Sequence, residues 1–151
     1  MSEAQALQFY ADQIRDYMRD RADLNKLIEG EEHTDAMRKR AIEEALDNAN
    51  SLPPLTEYSA EDFPYRTVLV DLATSRLLLS LALLMERNDL QVADAGGVAA
   101  KKTQVSALRP AANELRSMAM ARLEGAKHAR AVQEAVGLSG PIYSSYYGNN
   151  W

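Results

Sequence analysis

The chain has 151 residues, enough for one domain with its own apolar core. Its apolar fraction of 46% and charged fraction of 26% are those of a globular protein, and it contains no cysteine, which excludes disulfides and thiolate chemistry. Net charge is −5, which argues against a dedicated nucleic-acid binder. Residues 1–20 carry acids and lack the apolar core and small-residue cleavage site of a secretory leader.

The charge is unevenly placed. Residues 1–62 hold 7 Lys/Arg against 15 Asp/Glu, whereas residues 101–130 hold 7 Lys/Arg against 2 Asp/Glu. Two readings follow: the acidic and basic segments attract each other within one fold, or they meet between neighbouring subunits of a ring.

The sequence predicts a mainly α, four-helix bundle-like domain over residues 1–136 and an extended tail over 137–151. The first helix is expected from about 3 to 29, with Ser2 as N-cap. Leu7, Tyr10, Ile14, Tyr17, Leu24 and Ile28 mark its apolar stripe, Arg21 interrupts that stripe, and Gly30 follows as a stop. The second helix, 35–50, opens after Thr34. Met37, Ala41, Ala45 and Ala49 form a ridge that permits close helix approach, and Ser51-Leu52-Pro53-Pro54 ends it.

Ser59-Ala60-Glu61-Asp62 reads as a capping box opening a third helix over about 61–87, with Pro64 in its first turn. Its first half carries a polar stripe at Thr67, Asp71, Thr74 and Ser75. Its second half, Leu77 to Met85, is apolar almost all round, as befits a central helix whose enclosure is completed by its own domain or by neighbouring subunits. The polar residues within Val68–Met85 favour a core helix over a membrane span.

Residues 88–100 break helical periodicity. Asp94-Ala95-Gly96-Gly97 is turn chemistry, and Leu90, Val92 and Val98 fit either a small β-hairpin or an irregular loop. The fourth helix, about 101–136, buries Val105, Leu108, Ala112, Leu115, Ala119 and Leu123. Pro110 is expected to kink or restart it, and Gly125 to loosen it. The tail after Gly137 combines Gly, Pro, Ser and Asn with Tyr143, Tyr146, Tyr147 and Trp151. Aromatics in such a terminus suit anchoring to a partner surface; the alternative is that the tail folds back on its own domain.

No pattern for catalysis, metal or cofactor emerges. His33 and His128 lack companion ligands and read as exposed polar residues, and no P-loop, Gly-x-Gly-x-x-Gly or nucleophile elbow is present. Glu31-Glu32 and Glu43-Glu44 read as surface charge. Asp71 reads as a polar-face acid bonded to a nearby arginine such as Arg66 or Arg15, and Asp94 with two glycines is a weak imitation of an anion or cation cradle.

The order of features over about residues 34–147 resembles the helical head–tail adaptor (connector) proteins of tailed bacteriophages. An alanine-rich helix ends in Asn50-Ser51-Leu52-Pro53-Pro54, and Phe63-Pro64 opens a long hydrophobic helix. Arg87-Asn88-Asp89-Leu90 leads to Asp94-Ala95-Gly96-Gly97-Val98, and the chain closes on Ser144-Ser145-Tyr146-Tyr147. Order and spacing carry the match, not any single motif; Pro110 departs from the pattern. The resemblance implies a virion protein assembled in the host cytoplasm, a homo-oligomeric ring (a dodecamer) in the neck between portal and next tail or neck protein. DNA passes through it non-specifically and no membrane is involved. It also implies portal contacts by Ile142, Tyr143, Tyr146, Tyr147 and Trp151, and a loop of Asp94, Gly96, Gly97 and Val98 facing the next ring or the lumen. The competing expectation is a free-standing helical interaction domain, a regulator or chaperone with a partner-binding aromatic tail.

Overall fold

In the computed structural model, residues 1–24, 30–92 and 99–136 are described. They form four helices: α1 (Glu3–Met18), α2 (Asp35–Ser51), α3 (Arg66–Val92) and α4 (Ala99–Ala135). Among the described residues there is no strand. α3 and α4 share the most extensive contact, α2 packs on α3, and α1 lies on α2 and, less extensively, on α3. Residues of all four helices share one buried core.

α1 starts as its first residues dictate. Ser2 Oγ accepts the Gln5 N–H while Gln5 Oε1 accepts the Ser2 N–H, satisfying two donors that a helix start leaves orphaned. The helix ends at Met18, well short of the expected 29, because Arg19 adopts left-handed backbone (φ 55) and the chain reverses. Ala6, Tyr10, Ala11 and Ile14 are buried, whereas Tyr17 and Leu24, expected on the apolar stripe, are 59% and 52% exposed. Ile28 lies outside the described residues.

Thr34 caps α2 through the Met37 N–H. Ala41, Ala45 and Ala49 are buried with Ile42 and Leu46, so the small-residue ridge does face the core, while Met37 at its head is exposed. Asn50 organises the following loop: its amide donates to the Tyr58 carbonyl and its Oδ1 accepts from Thr56 and Tyr58. The Ser59–Asp62 motif forms, with Asp62 Oδ1 accepting both the N–H and the Oγ–H of Ser59, but it makes an isolated turn. Helix α3 begins later, at Arg66, because the residue before Pro64 is disfavoured in helical backbone. That residue, Phe63, is buried with its ring edge-to-face against both Tyr58 and Tyr65.

α3 supplies the centre of the core with Val68, Leu69, Leu72, Ala73 and Leu77. It runs through to Val92, so Leu90 and Val92 are helical and do not form a hairpin arm; residues 93–98 lie outside the described residues. α4 passes through Pro110 without a restart. Pro110 is exposed, so its ring displaces no core residue. Gly125 is likewise an ordinary helical residue on the exposed side. Ala112, Ala119 and Leu123 form the buried face of α4, as the spacing predicts.

Candidate functional site

None of the residues that the sequence nominates for docking falls within the described part of the molecule. Asp94, Gly96, Gly97 and Val98 lie in 93–98, and Ile142, Tyr143, Tyr146, Tyr147 and Trp151 lie in 137–151. Three other features carry polar or apolar chemistry.

The first is a buried charge cluster where the chain turns from α1 to α2. The reversal at Arg19 points Asp20 inward, where Oδ1 accepts the Glu32 N–H at 2.6 Å and Oδ2 the His33 N–H at 2.8 Å. The His33 ring lies 3.2 Å from the same Oδ2. Arg38, from the first turns of α2, donates to Asp20, to the His33 carbonyl, to Glu31 at 2.6 Å and to Asp35 at 2.7 Å. Burial pushes the Asp20 carboxyl up, but the two N–H groups and His33 more than offset this and hold it below its ordinary range. For Arg38, burial works against the charge, yet Glu31 and Asp35 restore and raise its affinity for the proton.

His33 is therefore buried, not exposed as its isolation in sequence suggests, while His128 is exposed. Glu31 is an ion-pair partner rather than free surface charge, and so is Glu44, which pairs with Arg40 and Arg76. Ligand atoms of Asp20, Glu32 and His33 lie within 4.8 Å of one another. They do not make a convincing metal centre, because both Asp20 oxygens already accept hydrogen bonds and Arg38 supplies the positive charge. The cluster is a clamp that ties the α1–α2 connection to α2.

Lys127 is the second feature. It is 2% exposed, and its ammonium donates to the carbonyls of Ala49 (2.6 Å), Leu52 (2.7 Å) and Pro54 (3.0 Å). These carbonyls sit at and just beyond the C-terminus of α2, where orphan acceptors and the helix dipole favour a cation. Burial lowers the Lys127 pKa. Next to it, Arg130 stacks over the Tyr58 ring and donates to the Tyr58 hydroxyl. Together these contacts pin α4 to the loop after α2.

The helical spacing held a signal for both cations. Arg38 precedes Ala41, Ile42 and Ala45 by three, four and seven residues, and Lys127 follows Leu123 by four, so each lies on a buried face. Asp71 is the remaining polar residue of note. Its partner is Arg122 of α4 at 3.3 Å, not Arg66 or Arg15, and burial raises its pKa against the pull of that arginine.

The third feature is apolar surface. The second half of α3 is only partly covered: Leu77 and Ala82 are buried, but Leu83 and Leu84 are 51% and 46% exposed and Leu78, Leu79, Leu81 and Met85 are half-buried. α3 is long and apolar enough to cross a membrane by length and composition alone, a test that core helices of globular proteins also pass. Leu79 and Leu83 line a groove of about 480 Å³ between α2, α3 and α4, shared with Met37, Ala112, Arg40, Arg76 and Arg116.

Charge remains segregated as well. Among the described residues, no ion pair joins the acidic segment 1–62 to the basic segment 101–130: Arg109 pairs with Glu86, Arg122 with Asp71 and Arg130 with Glu134.

These features define an all-helical protein with buried polar anchors and an open apolar groove. No protein-family description matches the chain, and no curated protein or solved structure matches it.

Proposed function

We propose that this chain is a virion structural protein, a ring-forming head–tail adaptor that joins the portal of a tailed bacteriophage to the tail or neck and lines the DNA passage. The observation that carries the self-assembling part of this reading is the second half of α3, where Leu83 and Leu84 stand exposed on the longest apolar helix of the fold. Leu83 lines the apolar groove with Leu79, and half-exposed leucines beside such a groove suit a protein partner. The segregation of acidic and basic segments along the chain supports a second copy as that partner.

The adaptor assignment itself rests on the order of features from Asn50-Ser51-Leu52-Pro53-Pro54 to Ser144-Ser145-Tyr146-Tyr147. In this reading Ile142, Tyr143, Tyr146, Tyr147 and Trp151 anchor the ring on the portal, and Asp94, Gly96, Gly97 and Val98 face the next ring or the lumen. An acidic protein suits a channel lining, since DNA slides past carboxylates that cannot grip its phosphates. The work is positional, and no catalytic group is required.

Native mass spectrometry of the full chain, alone and mixed with its portal protein, tests the proposal. Rings, free or formed on the portal, support it. A monomer without portal affinity overturns it and favours a free-standing interaction domain.

A further inference from the structure

The groove between α2, α3 and α4 has a specific chemistry. Its apolar floor includes Leu79, Leu83 and Met37, and its rim carries Arg40, Arg76 and Arg116 against one acid, Glu44. Glu44 is already shared by Arg40 and Arg76, and Arg116 makes no ion pair among the described residues. Such a groove suits a helix that presents apolar side chains flanked by carboxylates.

One helix of the chain itself has that face. On α1, Phe9, Asp12, Gln13, Asp16 and Tyr17 follow the i, i+3, i+4, i+7, i+8 spacing that places them on one side. Phe9 and Tyr17 are 39% and 59% exposed, although large aromatics gain most by burial. Arg15 touches both Asp12 (3.4 Å) and Asp16 (3.8 Å), so one cation is shared between two carboxylates and the stripe keeps acidic character. Within its own chain α1 packs on α2 and α3 and makes no extensive contact with α4.

Resting on the self-assembly reading above, we infer that the outer face of α1 from one copy docks in the α2–α3–α4 groove of a second copy, Phe9 and Tyr17 meeting the leucines and Asp12 and Asp16 meeting Arg116. The contact joins two different surfaces, so it repeats head to tail and closes into a ring if the rotation permits. It also places the acidic segment of one subunit against the basic helix of the next.

The absence of cysteine makes this directly testable. Gln13→Cys and Asn113→Cys place one thiol on the exposed α1 face and one on the groove rim. Mild oxidation of the two full-length variants mixed together is expected to give the mixed disulfide dimer, with neither variant alone giving a comparable yield, since a disulfide needs the two Cα atoms within about 7 Å. Adding Asp16→Arg to the first variant is expected to cut the yield about tenfold, and Arg116→Asp on the second to restore it. Circular dichroism checks that each variant stays helical. If the unmodified chain forms rings but the mixed dimer does not appear, or if Asp16→Arg leaves its yield unchanged, this docking mode is wrong and the ring proposal stands on another surface. If the chain neither associates nor cross-links, both fall.

Discussion

The ammonium of Lys127 lies 2.6 Å from the carbonyl oxygen of Ala49, joining α4 to the end of α2 across 78 positions of sequence. Two further carbonyls, of Leu52 and Pro54, complete its hydrogen bonding, so a single side chain holds the C-terminus of one helix and the loop beyond it. Replacing it by methionine keeps most of the stem's packing and removes every donor. Lys127→Met is expected to lower unfolding free energy by about 2–3 kcal/mol, the cost of stranding buried acceptors. Urea denaturation followed by circular dichroism measures this, and an unchanged midpoint would show that water replaces the ammonium without cost.

Arg38 should be more sensitive. Its guanidinium is bonded to Asp20, Glu31, Asp35 and the His33 carbonyl. Arg38→Met removes the buried cation that Asp20, Glu31 and Asp35 share, and breaking one side of a buried pair costs about 3–5 kcal/mol. The variant is expected to unfold at markedly lower urea than Lys39→Met, which changes a neighbouring cation outside the cluster.

Acid should loosen the same clamp. The folded-state pKa of Asp20 is depressed below its unfolded value of about 3.9. A depressed acid contributes stability that is fully present above the unfolded pKa and is lost as pH falls through the folded pKa. Stability should therefore decline below about pH 4 as Asp20 protonates. Asp20→Asn should be less stable at neutral pH and should show a shallower acid-induced loss. An identical slope in the two proteins would assign the acid sensitivity to other carboxylates.

Leu83 and Leu84 are expected to behave oppositely to these anchors. Both are exposed in the single chain, so Leu83→Ser with Leu84→Ser should change the unfolding free energy of the monomer by less than about 0.5 kcal/mol per site. The self-association proposed above, followed by sedimentation, should be lost. Retained association would show that this surface is not part of the assembly contact.

Much of the helical frame is legible in the amino-acid order because local chemistry agrees with it. Thr34 caps α2, the alanine ridge from Ala41 to Ala49 faces inward, and Ala112, Ala119 and Leu123 turn to the core at the spacing a helix requires. The departures come from contacts that helical periodicity does not report. α1 stops at Met18 because Asp20 is recruited by Glu32 and His33, more than ten residues ahead, which no apolar stripe reveals. Phe63 is taken into the core between two tyrosines, which delays α3 past Pro64. His33 and Lys127 look like surface residues by type and are buried by their partners. The nominated docking residues, Asp94 to Val98 and Ile142 to Trp151, lie outside the described residues, so the surfaces that emerged instead are those of α1 and the α2–α3–α4 groove.

The tail has its own test. A chain ending after Leu138 keeps every buried contact named above, and its circular dichroism and thermal midpoint should match those of the full chain. The portal attachment proposed above should be lost, as expected when the aromatic anchors of a contact are removed. Normal attachment would remove Tyr143, Tyr146, Tyr147 and Trp151 from the docking role.

Imaging the purified full-length chain together with the portal protein that the adaptor proposal requires, by electron microscopy, addresses that proposal most directly. A closed ring of this chain stacked on the portal is the result it predicts. Single copies scattered in the field, with bare portals beside them, would contradict it.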